Sequence, residues 1–167
     1  MKHLRILGAF LAISFGNAYA AEAATLPSMP AALVAKAQQY ETAVRNQYER
    51  EVGHTPKTTH GLLEWLDRKT QSTKSLSDSE KDELVQSYGS VLGQQLIREL
   101  GGRWVLVPNE DNSPGVELPG GKVAFVFNRA GRRIFEGDSI GFVSYFEASS
   151  SYVHGIKLPD GVEANKR

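Results

Sequence analysis

Gly137-Asp138-Ser139-Ile140-Gly141 is the stretch whose residue types come nearest to a reaction centre. It satisfies the pattern G-x-S-x-G, in which a sharp turn presents a serine hydroxyl as a nucleophile. That chemistry needs a buried strand before the serine, a helix behind it, and an acid and then a histidine downstream. Here Arg129 to Glu136 is charged rather than strand-like, and His154 and Asp160 follow in the wrong order. No catalytic residue is therefore assigned, and Ser139 is kept only as a candidate. Asp138 or Ser139 is expected instead to cap a following helix, as short polar side chains do.

Metal chemistry would fall to His54, His60 and His154. The spacing of His54 and His60 matches no helical ligand pair, and zinc normally takes three or four protein ligands. No metal and no cofactor is expected. The absence of Cys removes disulfides, thiolate metal sites and a thiol nucleophile. Glu64, Asp67, Glu110, Asp111, Glu117, Glu136 and Glu147 offer carboxylates for glycoside hydrolysis, but nothing selects a pair. Glu64, beside Trp65 on an apolar helix, is the one with a reason to be partly desolvated.

Arg129, Arg132 and Arg133 form the densest basic cluster. Guanidinium groups hold carboxylates and phosphates in a two-pronged grip. These three are therefore the expected binding residues, on the flank of a sheet, for an acidic peptide, a cell-wall carboxylate or an acidic partner surface. Equal numbers of acidic and basic residues, 19 of each, give no basic footprint for nucleic acid.

The element that must position all of this runs from Ser77 to Trp104. Ser77 with Glu80 is a capping-box pair, and Leu84, Tyr88, Val91, Leu92, Leu96 and Leu100 recur at steps of three and four, which predicts an amphipathic helix. Gly101 suits the left-handed residue after it, and Arg103 to Val107 reads as a strand. Gly89 and Gly93, one turn apart, each cost about 1 kcal/mol in a helix. They predict close approach of another backbone, with a ligand groove as the other reading. Tyr88-Gly89, Leu92-Gly93 and Leu100-Gly101-Gly102-Arg103-Trp104-Val105 resemble the motif of a bacterial family, domain of unknown function 3806, over roughly 63–146. That resemblance implies an α+β fold and brings no activity, cofactor or site residue.

Earlier in the chain, Lys2, His3 and Arg5 precede an apolar run from Ile6 to Phe15 and then Ala18-Tyr19-Ala20. This is the pattern of a secretory signal peptide over 1–20, too short for a membrane span of about 20 apolar residues. Residues 21–30 read as a flexible leader and 154–167 as a tail, with a single domain over 31–153. Ala31 to Glu51 reads as a helix with Leu33, Val34, Ala37, Tyr40, Val44 and Tyr48 on one face. A short apolar helix begins near Thr59, and Lys69 to Ser75 is a polar link. Asn109 to Gly115 reads as a turn, and Val116 to Leu118 pairs with Lys122 to Phe127 as a hairpin. Asn128 to Glu136 fits no single element. Ile140 to Ser151 reads as a helix, with a strand left open.

The expected fold is α+β, with N-terminal helices packed on a small antiparallel sheet of about three strands, because helices come first and strands later. The expected function is that of a soluble protein exported to the periplasm or the medium. It would be a non-catalytic protein-binding module, of the immunity or inhibitor kind, with a protein partner in the envelope or medium. No nucleic-acid partner and no membrane span after signal removal are expected. The alternative is a small envelope hydrolase acting on cell-wall or polysaccharide material.

Overall fold

The computed structural model describes residues 25–156; the expected signal peptide, the start of the leader and most of the tail lie outside the described residues. The elements run in the order α1 (Ala31–Val52), α2 (Thr59–Lys69), α3 (Asp78–Leu100), β1 (Arg103–Val107), β2 (Ser113–Glu117), β3 (Val123–Ala124), α4 (Val126–Gly131) and α5 (Phe142–Val153). A 3₁₀ stretch, Thr70–Ser75, joins α2 to α3, and a wide π-helical turn, Arg132–Glu136, continues α4. The fold is α+β. No described helix is long and apolar enough to cross a membrane.

Helix α3 is the frame, and its ends are fixed locally. The Ser77 hydroxyl accepts from the Glu80 N–H, while the Glu80 carboxylate accepts from the Ser77 N–H at 2.8 Å. At the other end Gly101 takes φ 78° and its N–H reaches the Ile97 carbonyl at 3.0 Å. Tyr88, Val91, Leu92, Leu96 and Leu100 are buried as their spacing predicts, and Leu62, Leu63, Trp65 and Leu66 of α2 join the same core.

Gly89 and Gly93 open the surface of α3 to two aromatic rings rather than to a backbone alone. A Cβ on Gly89 would come within 2.6 Å of the Phe127 ring and 3.2 Å of its Cα, and one on Gly93 would overlap the Trp104 indole. Those rings stack on each other, 5.9 Å between centroids and 25° between planes. The groove is filled, so the packing reading holds and the ligand reading falls.

Helix α1 lies along α3, and a charged residue sits in its apolar stripe. Glu41 is 7% exposed, level with Ala37, Val44 and Tyr48. Its Oε1 accepts from Arg45 Nε at 2.7 Å, Arg98 Nη2 at 2.9 Å and Gln95 Nε2 at 3.0 Å. Two guanidinium groups and an amide thus satisfy a carboxylate that burial alone would penalise.

The strands form one antiparallel sheet in the order β1-β2-β3. Strand β2 begins at Ser113, inside the expected turn, because Asp111 and Asn112 turn the chain in left-handed conformations at φ 52° and 56°. Pro114, opposite Leu106, is tolerated because β3 reaches only Val116 and Glu117, leaving that side of β2 without a donor requirement. The expected strand 122–127 is shorter than its composition suggests. Val126, Ala130 and Ile134 recur every four residues and are buried as a helical face, so α4 starts at Val126 and packs on α3. The domain also begins earlier than 31. Met29 N–H donates to the Trp104 carbonyl at 3.2 Å and Leu106 N–H to the Pro27 carbonyl at 2.8 Å. Residues 27–29 are thereby held on the outer edge of β1 and are no free leader.

Candidate functional site

The three arginines come together where α2, the wide turn and α5 meet, not on the flank of the sheet. Arg129, on α4, is 6% exposed. Its Nη2 lies 2.7 Å from Asp138 Oδ2, and Arg132 Nη2 lies 2.9 Å from the same oxygen. Neither Arg129 Nη2 nor Asp138 Oδ2 has an aligned hydrogen bond, so opposed charge carries the contact. Arg133 donates to the Asp138 carbonyl oxygen and holds its Nε 3.6 Å from Asp67.

Asp67 completes the junction. Its carboxylate accepts from the N–H groups of Phe142 at 2.8 Å and Val143 at 3.2 Å, and so caps α5 from another helix. The expected cap by Asp138 or Ser139 does not form. Gly141 is the N-cap residue and offers no side chain, and a Cβ there would sit 2.5 Å from Asp67. Asp138 instead accepts from the Ile140 N–H at 3.0 Å. The final segment is a helix, the preferred of the two readings, with Phe142 fully buried. Arg129 and Arg133 therefore hold the approach to α5 in place, and Arg132 is the one of the three that is half exposed.

Ser139 is exposed in the loop between the wide turn and α5, with helical structure before it rather than a strand. His154 bonds to Ser150 at the far end of α5, a helix about 18 Å long at 1.5 Å per residue. Tyr88 is no base at neutral pH, since burial pushes its hydroxyl up to about 12. His60 lies 3.3 Å from Glu64 on the surface. Glu64 is about half exposed, against the expectation of desolvation, because it points away from the Trp65 face. Among the described residues no three His, Asp or Glu side chains gather as a metal-ligand set.

Beside the arginine junction lies a cleft of about 430 Å³ that sequence reasoning missed. The 3₁₀ stretch supplies Gln71 and Lys74, α3 supplies Lys81, and the wide turn supplies Arg133, Phe135 and Glu136. Lys74 is exposed and makes no ion pair among the described residues. Lys81 is half buried, without a carboxylate partner among the described residues, and holds its ammonium 5.6 Å from the centre of the Phe135 ring. Phe135 itself is 44% exposed. Glu136, the single acid of the lining, lies 3.6 Å from Arg132. One signal was legible: Lys81 is a cation in the first turn of a helix, where the dipole disfavours positive charge.

No family model, curated protein or solved structure matches the chain.

The two carboxylate clusters make stability depend on acid. Burial pushes the Asp138 carboxyl up, but the Ile140 N–H and the charges of Arg129 and Arg132 outweigh it and hold it below its ordinary 3.8. Burial likewise pushes Glu41 up, and Arg45 and Arg98 outweigh it and hold it below 4.5. Groups depressed in the folded state contribute stability above their unfolded pKa and lose it as pH falls through the folded one. Thermal midpoints followed by circular dichroism should be level from about pH 7 to about pH 5 and fall steadily below about pH 4. A midpoint unchanged down to about pH 2 would contradict this assignment of charges.

Proposed function

We propose that the protein is an exported, non-catalytic protein-binding module whose docking site is the cleft between the 3₁₀ stretch, α3 and the wide turn. The observation that carries this reading is the pair of lysines, Lys74 and Lys81, left without acidic partners among the described residues at a cleft beside an exposed aromatic ring. Glu41 and Asp138, by contrast, each lie against two guanidinium groups of the same domain. Export is supported by the pattern of charge, apolar run and small residues over 1–20. An immunity or inhibitor role suits a small domain among whose described residues no nucleophile, base and oxyanion donors converge. Kinship with domain of unknown function 3806 belongs to the same proposal and rests on the spaced glycines and Trp104.

Affinity capture tests the reading. The chain from Ala21 onward, immobilised and exposed to envelope and culture-supernatant extract, should retain one protein in stoichiometric amount. Retention of none, together with hydrolysis of cell-wall material by the wild type, would replace it with the enzyme reading.

A further inference from the structure

We infer that the cleft recognises an acidic segment of the partner, with carboxylates on Lys74 and Lys81 and a neighbouring apolar side chain against Phe135. The inference rests on the reading that the cleft is a protein-docking site and adds the chemistry of what enters it.

Charge complementarity is the first support. Lys74, Lys81 and Arg133 face the same space, and Glu136 is the only acid there. Arg133 is engaged with the Asp138 carbonyl and Asp67, so the two lysines carry the free positive charge. A lysine is a point charge on a flexible stem, well suited to carboxylates that arrive in no fixed orientation. Phosphate sites, by contrast, draw on backbone N–H groups at a helix N-terminus. At the N-terminus of α3 the capping box already takes up two of these donors, Ser77 Oγ and Glu80 Oε2 accepting from the N–H groups of Glu80 and Ser77. An acidic chain therefore fits better than a phosphate.

Shape and polarity supply the second support. Small-molecule pockets enclose most of their ligand, whereas this cleft is bordered by the exposed side chains of Gln71, Lys74, Phe135 and Glu136. Phe135 offers an apolar face, and Lys81 beside it adds a cation near the ring. The free Gln71 amide can bond to a passing main chain. An extended segment that alternates acidic and apolar residues meets all of these groups.

The test uses a fluorescein-labelled, end-capped peptide with two Asp-Glu pairs around a central Leu, titrated with the mature protein and followed by anisotropy. Binding should weaken roughly tenfold in Lys74→Glu/Lys81→Glu, as two attractions become repulsions, and should weaken as salt rises. Phe135→Ala should weaken it about threefold. These positions are exposed or half exposed, and circular dichroism melts of each variant check that the fold is kept. No binding, equal binding of a peptide with Lys for the acids, or full displacement by millimolar inorganic phosphate would overturn the inference. Capture of the natural partner separates the two levels. A partner held equally by wild type and double variant defeats the acidic-segment inference and leaves the binding module standing, whereas failure of the wild type to hold any partner defeats the module itself.

Discussion

Replacing Asp138 by Ala should lower the stability of the domain by about 3–4 kcal/mol, the range for removing one partner of a buried ion pair. Arg129 is 6% exposed and Asp138 11% exposed at the side chain. The substitution leaves the buried Arg129 guanidinium without its counter-charge, and it frees Arg132 from its shorter contact. Loss of the Asp138 bond to Ile140 N–H loosens the approach to α5 as well. Urea unfolding measures the loss, and a double variant, Arg129→Met with Asp138→Leu, should recover most of it, because an apolar pair of similar volume has no charge to desolvate. A loss below about 1 kcal/mol for Asp138→Ala would mean that the pair is hydrated and that the arginines are free to bind a partner after all.

Gly93→Ala should also destabilise, by about 2–3 kcal/mol, although the change raises helix propensity by about 1 kcal/mol. The new methyl would overlap the Trp104 indole, and the ring cannot retreat easily because Phe127 is stacked on it and lies against Gly89. Near-ultraviolet circular dichroism should report the displaced indole, since Trp104 is one of two tryptophans. Trp104→Leu in the same chain should relieve the overlap, making the combined loss smaller than the sum of the two single losses. Stabilisation by Gly93→Ala would contradict the packing described for this face.

What the sequence disclosed was local. The ends of α3 could be read from Ser77, Glu80 and Gly101 because each acts within one turn of itself, and α1 and α2 announced their apolar faces by spacing. Phe125 to Phe127 misled because Val and Phe favour strands, while burial against α3 imposed a helix from Val126. The cap of α5 was illegible, since Asp67 lies 75 residues before the N–H group of Phe142 that it serves. Glu41 stood in plain view at a stripe position of α1, but a lone carboxylate there reads as solvent-facing until Arg98 and Gln95 arrive from α3. The arginines do gather in space, but a count of charges does not show that Asp138 folds back between Arg129 and Arg132. The cleft escaped notice since Thr70 to Ser75 reads as a link, and its walls come from three separate stretches of chain.

Amide hydrogen exchange of the chain from Ala21 onward, free and saturated with a captured partner, tests the cleft as the docking site most directly. New protection should appear at Thr70–Ser75, at the first turns of α3 and across Arg132–Gly137, with α1 unchanged on its outer face. Protection confined to the outer face of α1 or to the edge of β3, with the cleft exchanging as in the free protein, would contradict the account.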